Sequence, residues 1–158
     1  MNAIAQLPSS EKLSPTRKLG IAWVLLCAVF AVHTLDESLT GFLGVYNPTV
    51  IALRQQLGYW PMPTLTFAEY LRVSIVMLVV GLMCAPFVFR GYRWIRPVVY
   101  ISTIMMLLNG LGHTLFTILG HTVGSVRFPR PAPGFYSSPL LLIISIYTLV
   151  QLRRTRRV

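Results

Sequence analysis

Acidic side chains are scarce in this chain, which has four Asp and Glu in 158 residues. Charged residues of both signs together make up 11%, where a soluble domain carries roughly 25%. That shortfall, with 54% hydrophobic residues and a mean hydropathy of +0.65, excludes an ordinary soluble domain and points to a membrane protein. Cysteine is nearly absent too. Cys27 and Cys84 both lie in apolar segments, and their spacing suggests no disulfide framework, so they read as small buried hydrophobes. The net charge of +10 has no separate polar domain on which to form a nucleic-acid face, since the basic residues sit at the ends of apolar segments. There is no internal repeat and no low-complexity tract.

What is present is a set of long apolar runs. Residues 1–16 are polar, with Pro8, Ser9, Ser10, Ser14 and Pro15, and read as a disordered cytoplasmic tail. Residues 17–158 read as an all-α, four-span transmembrane domain, with spans at about 19–39, 65–89, 98–119 and 135–152. The first run is long enough to cross ~30 Å at about 1.5 Å per residue. A signal peptide competes for this segment through Val29 and Ala31, but the apolar run continues past them. In the fourth, Ser138 looks like an N-cap and Pro139 like a first helical residue, leaving only ~14 helical residues. A full crossing and a re-entrant segment both stay open there.

The basic residues test the topology. Lys12, Arg17, Lys18, Arg90, Arg93, Arg96, Arg153, Arg154, Arg156 and Arg157 all fall on one side of a four-span arrangement. The other side holds only Arg54, Arg72, Arg127 and Arg130. The positive-inside rule then makes both termini cytoplasmic, giving an integral membrane four-helix bundle. In the first outer link, Asn47 is placed to cap a short helix starting at Pro48 and ending before Gly58. Tyr46, Tyr59 and Trp60 would anchor it at the interface. The second outer link, with Pro129, Pro131, Pro133 and Gly134, is expected to be extended and to cover the mouth of the bundle.

This topology puts all three histidines and three of the four acidic residues at one depth: His33, Asp36, Glu37, Glu69, His113 and His121. Ionisable groups inside a bilayer are costly and usually mark a working site. His33, Asp36 and Glu37 stand at i, i+3 and i+4, and Asn109 and His113 share a helix face at i, i+4. Ionised Asp36, Glu37 and Glu69 offset by Arg72 would leave a charge of −3 + 1 = −2 in a poorly hydrated place. A divalent cation, raised carboxyl pKa values or a wet site would each relieve it.

His and carboxylate donors suit Zn, Mn or non-haem Fe. The best ligand set is His33, Glu37, Glu69 and His113, with Asp36, Arg72 and Asn109 in support. The metal-free alternative uses the same four residues for acid/base catalysis on a lipid-like substrate. Plainer readings stand beside these. Glu69 and Arg72 form an ordinary i, i+3 salt bridge, Asn109 and His113 are interhelical hydrogen-bonding groups, and His121 is a solvated loop residue. Besides an enzyme, the chain could be an accessory subunit of a membrane complex, or a small transporter or proton relay.

The run His33-Thr34-Leu35-Asp36-Glu37 followed by Ser-Leu-Thr-Gly-Phe resembles the HXXEE-motif family of small bacterial integral membrane proteins. Asn109-Gly-Leu-Gly-His113 on a later span and Pro133-Gly134 before the last span are similar to that family too. Asp36 stands where the motif has its first Glu, and the shorter side chain shifts a ligand or turns it into a support. The resemblance implies that His33, Asp36, Glu37, Asn109 and His113 work together, in a bacterial cytoplasmic membrane. It carries over no established activity. The membrane fold of sterol-isomerase-like proteins offers a looser analogy, with His and Glu inside a helical bundle.

Overall fold

The computed structural model describes residues 13–155, so residues 1–12 of the expected tail lie outside them, as do Arg156 and Arg157, while Pro15 and Thr16, expected in the tail, open the first helix. The described chain is all-helical: α1 Pro15–Thr40, α2 Leu43–Leu57, α3 Phe67–Phe89, a 3-10 turn Arg93–Ile95 running into α4 Arg96–Leu119, and α5 Ser138–Thr155. Three of these helical stretches, α1, α3 and Arg93–Leu119, are long and apolar enough to cross a membrane.

Local chemistry sets the ends. The Ser14 hydroxyl accepts from Arg17 N–H, and Pro15 opens α1. Gly41 closes it in the left-handed region at φ +79°, its N–H bonding back to the Glu37 carbonyl. That reversal sends the chain straight into α2. The short outer helix therefore begins at Leu43, a turn earlier than Pro48 suggests. Asn47 does not cap it. Its amide brackets the Leu65 backbone instead, donating to the carbonyl at 2.8 Å and accepting the N–H at 2.9 Å. The expected end before Gly58 is where the helix stops.

α1 packs on α3 and on α5, and α5 also packs on α4. The shared core holds Leu19, Trp23, Leu26, Val88, Val99 and Leu141. Glycines allow close approach: Gly81 faces Cys27, with the Trp23 indole N–H donating to the Gly81 carbonyl at 2.7 Å. Gly110 lies against Leu142 and the Ser138 carbonyl. Phe89 covers Gly20, and Arg96 donates to the Thr155 carbonyl at 2.9 Å. The start of α1, the end of α3, the start of α4 and the end of α5 thus meet at one end, which carries Arg17, Lys18, Arg90, Arg93, Arg96, Arg153 and Arg154.

α5 extends over 18 residues, not ~14. Ser138 lies inside it and turns its hydroxyl back to the Gly134 carbonyl at 2.7 Å, while the Ser137 carbonyl takes the Leu141 N–H. This helix is polar inward and apolar outward: Ser145, Thr148 and Gln151 are buried, while Ile143 and Ile146 are exposed.

Candidate metal centre

His33 and Glu37 lie one turn apart on α1 and face the interior, both buried. Asn109 and His113, one turn apart on α4, meet them. The Asn109 amide Nδ2 is 3.2 Å from His33 Nε2, and His113 Nε2 is 3.0 Å from Glu37 Oε1. The two imidazoles meet edge to face at 4.9 Å between ring centres. His33 Nε2 lies 3.5 Å from the same Glu37 oxygen. Among the described residues, the two imidazoles are the only salt-bridge partners of this buried carboxylate.

Tyr70 on α3 donates its hydroxyl to Glu37 Oε2 at 2.6 Å, which leaves Oε1 turned to the histidines. Asp36, about 100° around the helix from Glu37, looks toward α5. It accepts from the Ser137 backbone N–H at 2.8 Å and the Ser137 hydroxyl at 2.7 Å. The same hydroxyl is 2.7 Å from His33 Nδ1. Since the Ser137 proton goes to the carboxylate, its oxygen accepts from His33 Nδ1–H, which leaves Nε2 as the ring nitrogen facing the centre. A carboxylate acting through a hydroxyl thus sets the tautomer and ring angle, as supporting groups do behind metal-bound histidines.

The 120–137 link covers the centre from the far side. A turn joins Thr122 N–H to the Val126 carbonyl, and the chain then runs back along α4, where Ala132 N–H meets Thr117 at 2.9 Å. It brings buried Gly134 onto the cluster at φ +78°, with its N–H on the Thr40 hydroxyl at 3.0 Å. A Cβ on Gly134 would lie 2.9 Å from both Glu37 Cγ and His113 Cε1. Only glycine combines this backbone angle with this approach.

His33, Glu37 and His113 each offer a ligand atom, all within 4.8 Å of one another, and this group could hold a metal ion. Metal–ligand bonds of about 2.0–2.2 Å in a tetrahedron set ligand atoms roughly 3.4 Å apart. The 3.5 Å separation suits that spacing, and the 3.0 Å one is that of a hydrogen bond, which a bound ion would replace.

Of the residues singled out in the sequence, His33, Asp36, Glu37, Asn109 and His113 come together. Glu69 does not. It is exposed and closes a capping box with Thr66, its Oε2 accepting from the Thr66 N–H and hydroxyl at 2.8 Å each. Arg72 is exposed on the same helix, away from the centre. His121 pairs through its backbone with Arg127 in an isolated bridge, outside the cluster. Tyr70 and Ser137 are the participants that sequence reasoning missed. Tyr70 had a signal: with Ser74 it stands at i, i+4 on the buried face of α3, which turns its neighbour Glu69 outward. Ser137 had none, because its role depends on how the link folds back.

These residues include the motif positions. Residues 24–148 match the family model described as "Protein of unknown function with HXXEE motif", and the chain belongs to that family. No curated protein and no solved structure matches it significantly.

Proposed function

We propose that this chain is a membrane-embedded enzyme that binds one divalent cation at His33, Glu37 and His113 and acts on a lipid-like molecule. The observation that carries the reading is the buried Glu37 carboxylate, 5% exposed, whose salt-bridge partners among the described residues are two imidazoles. A buried carboxylate without a firm cation is costly, and one metal ion would satisfy it and both histidines. The donor set suits Zn, Mn or non-haem Fe. Such a metal, when bound, supplies Lewis acidity or an activated water. The chain's own residues keep the centre in shape. Tyr70 fixes the Glu37 carboxylate, Asp36 and Ser137 fix the His33 ring, and Gly134 packs against Glu37 and His113.

In this reading α1, α3, α4 and α5 form a four-helix bundle in the membrane, both termini cytoplasmic. Support comes from the seven described basic residues gathered at one end, against Arg54, Arg72, Arg127 and Arg130 elsewhere, and from α5, whose Ser145, Thr148 and Gln151 are buried while Ile143 and Ile146 are exposed. The exposed apolar surface of α3, including Val73, Val76, Val80 and Met83, suits lipid contact. A second, metal-free reading draws on the 3.0 Å contact between His113 and Glu37, an arrangement able to exchange a proton with substrate.

Elemental analysis of the protein purified in mild detergent tests the first reading. Close to one metal ion per chain is expected for the parent, and almost none for His33→Ala or His113→Ala. A metal-free parent whose activity is lost in His113→Ala would favour the acid/base alternative.

A further inference from the structure

Seven described basic residues gather at one end of the molecule, and no described acidic residue answers them there. Asp36 and Glu37 belong to the histidine centre, and Glu69 caps α3 at its opposite end. The salt bridges among the described residues join only Glu37 to the two imidazoles, so the seven cations have no ionic partner within them. One of the seven, Arg153, lines a cleft of about 340 Å³ between α4 and α5. Tyr100, Leu149 and Leu152 line it too.

The cleft is apolar at its floor and polar at its rim. Leu152 is buried, while Tyr100 and Arg153 are exposed. Arg96 stands one turn before Tyr100 on the same face of α4. Its guanidinium reaches across to α5, at the Thr155 carbonyl. Ile146, Leu149 and Arg153 stand at i, i+3 and i+7 along one face of α5. Ile146 is 54% exposed, so an apolar strip leads from the arginine toward the middle of the helix.

We propose that this cleft binds one anionic phospholipid, its phosphate diester on Arg153 and Tyr100 beside Arg96, and an acyl chain along Leu149 and Ile146. The inference rests on the membrane-embedded reading above but not on the metal. A guanidinium meets a phosphate with paired, charge-assisted hydrogen bonds. Basic pockets between membrane helices take anionic lipid head groups in this way. A zwitterionic lipid brings its own ammonium into the field of seven cations, which repels it. Inorganic phosphate satisfies Arg153 but leaves Leu149 and Ile146 without a chain to cover them.

The test is native mass spectrometry of the protein in mild detergent with phosphatidylglycerol, with phosphatidylcholine of the same chains, and with inorganic phosphate as competitor. One phosphatidylglycerol should stay bound where phosphatidylcholine is lost, and inorganic phosphate should not displace it. Arg153→Gln should weaken phosphatidylglycerol binding by about tenfold, the size of one charge-assisted hydrogen bond. Leu149→Trp, which fills the cleft, should weaken it too. Arg90→Gln removes the same charge from the same end but outside the cleft lining, and should weaken it much less. Equal losses in Arg153→Gln and Arg90→Gln would overturn the site in favour of diffuse attraction. Equal retention of phosphatidylcholine, or displacement by inorganic phosphate, would overturn the anionic lipid as its ligand. A chain that stays monodisperse without detergent would overturn the membrane reading itself. One that needs detergent yet shows no preference for phosphatidylglycerol would overturn the cleft alone.

Discussion

At the basic end of the molecule, helices meet through shape: Phe89 against Gly20, Trp23 against Gly81, Leu152 and Ile95 buried between neighbours. At the histidine end they meet through hydrogen bonds between side chains, with Glu37, Tyr70 and His113 joining three helices and Asp36, Ser137 and His33 tying α1 to the link just before α5, whereas the hydrogen bonds of Trp23 and Arg96 at the basic end go to backbone carbonyls. Close packing alone would have held both ends. Placing a carboxylate and two imidazoles at the second makes sense as a site, since buried ionisable groups are costly.

Substitutions can break this contrast at either end. Gly134→Ala should do most. It adds about 1–2 kcal/mol for an L-residue in the left-handed region and about 1–3 kcal/mol for overlap with Glu37 and His113. Thermal unfolding in detergent and metal content should both fall. Ser137→Ala comes next. It leaves His33 Nδ1 without its partner, and loss of such a supporting group typically costs about 10–100-fold in metal affinity. Competition with a chelator measures this, and an unchanged affinity would remove Asp36 and Ser137 from the account.

Gly20→Ala probes the other end. Its Cβ would collide with the Phe89 ring, an overpacking worth about 1–3 kcal/mol of stability. Metal stoichiometry should stay that of the parent, and a loss would mean that the two ends are not separable. Glu69→Gln should do least. Gln can serve the same cap, and neither metal content nor melting temperature should move appreciably.

Much of this was legible in the sequence. The long apolar runs located the three helical stretches long and apolar enough to cross a membrane, while the fourth run falls in α5, which is not among them; the i, i+4 pairs His33/Glu37 and Asn109/His113 named the heart of the cluster. Glu69 was misleading because depth does not determine facing. One residue is about 100° of helix rotation, and the Thr66 cap supplied a local use for its carboxylate. The start of α2 was obscured because Gly41 reverses the chain before Asn47 and Pro48 are reached. Ser137 and Gly134 were hidden for a different reason. Their contacts to α1 span about a hundred residues and exist only once the proline-rich link has folded back.

The most direct test of the central claim is metal stoichiometry in the parent and in Glu37→Gln, measured on the same detergent-purified preparations with folding checked by circular dichroism. Close to one divalent ion per chain is expected in the parent, and a folded, metal-poor Glu37→Gln beside it. A folded Glu37→Gln that keeps the parent's metal, or a parent that takes up none when supplied with Zn, Mn or Fe, would contradict it.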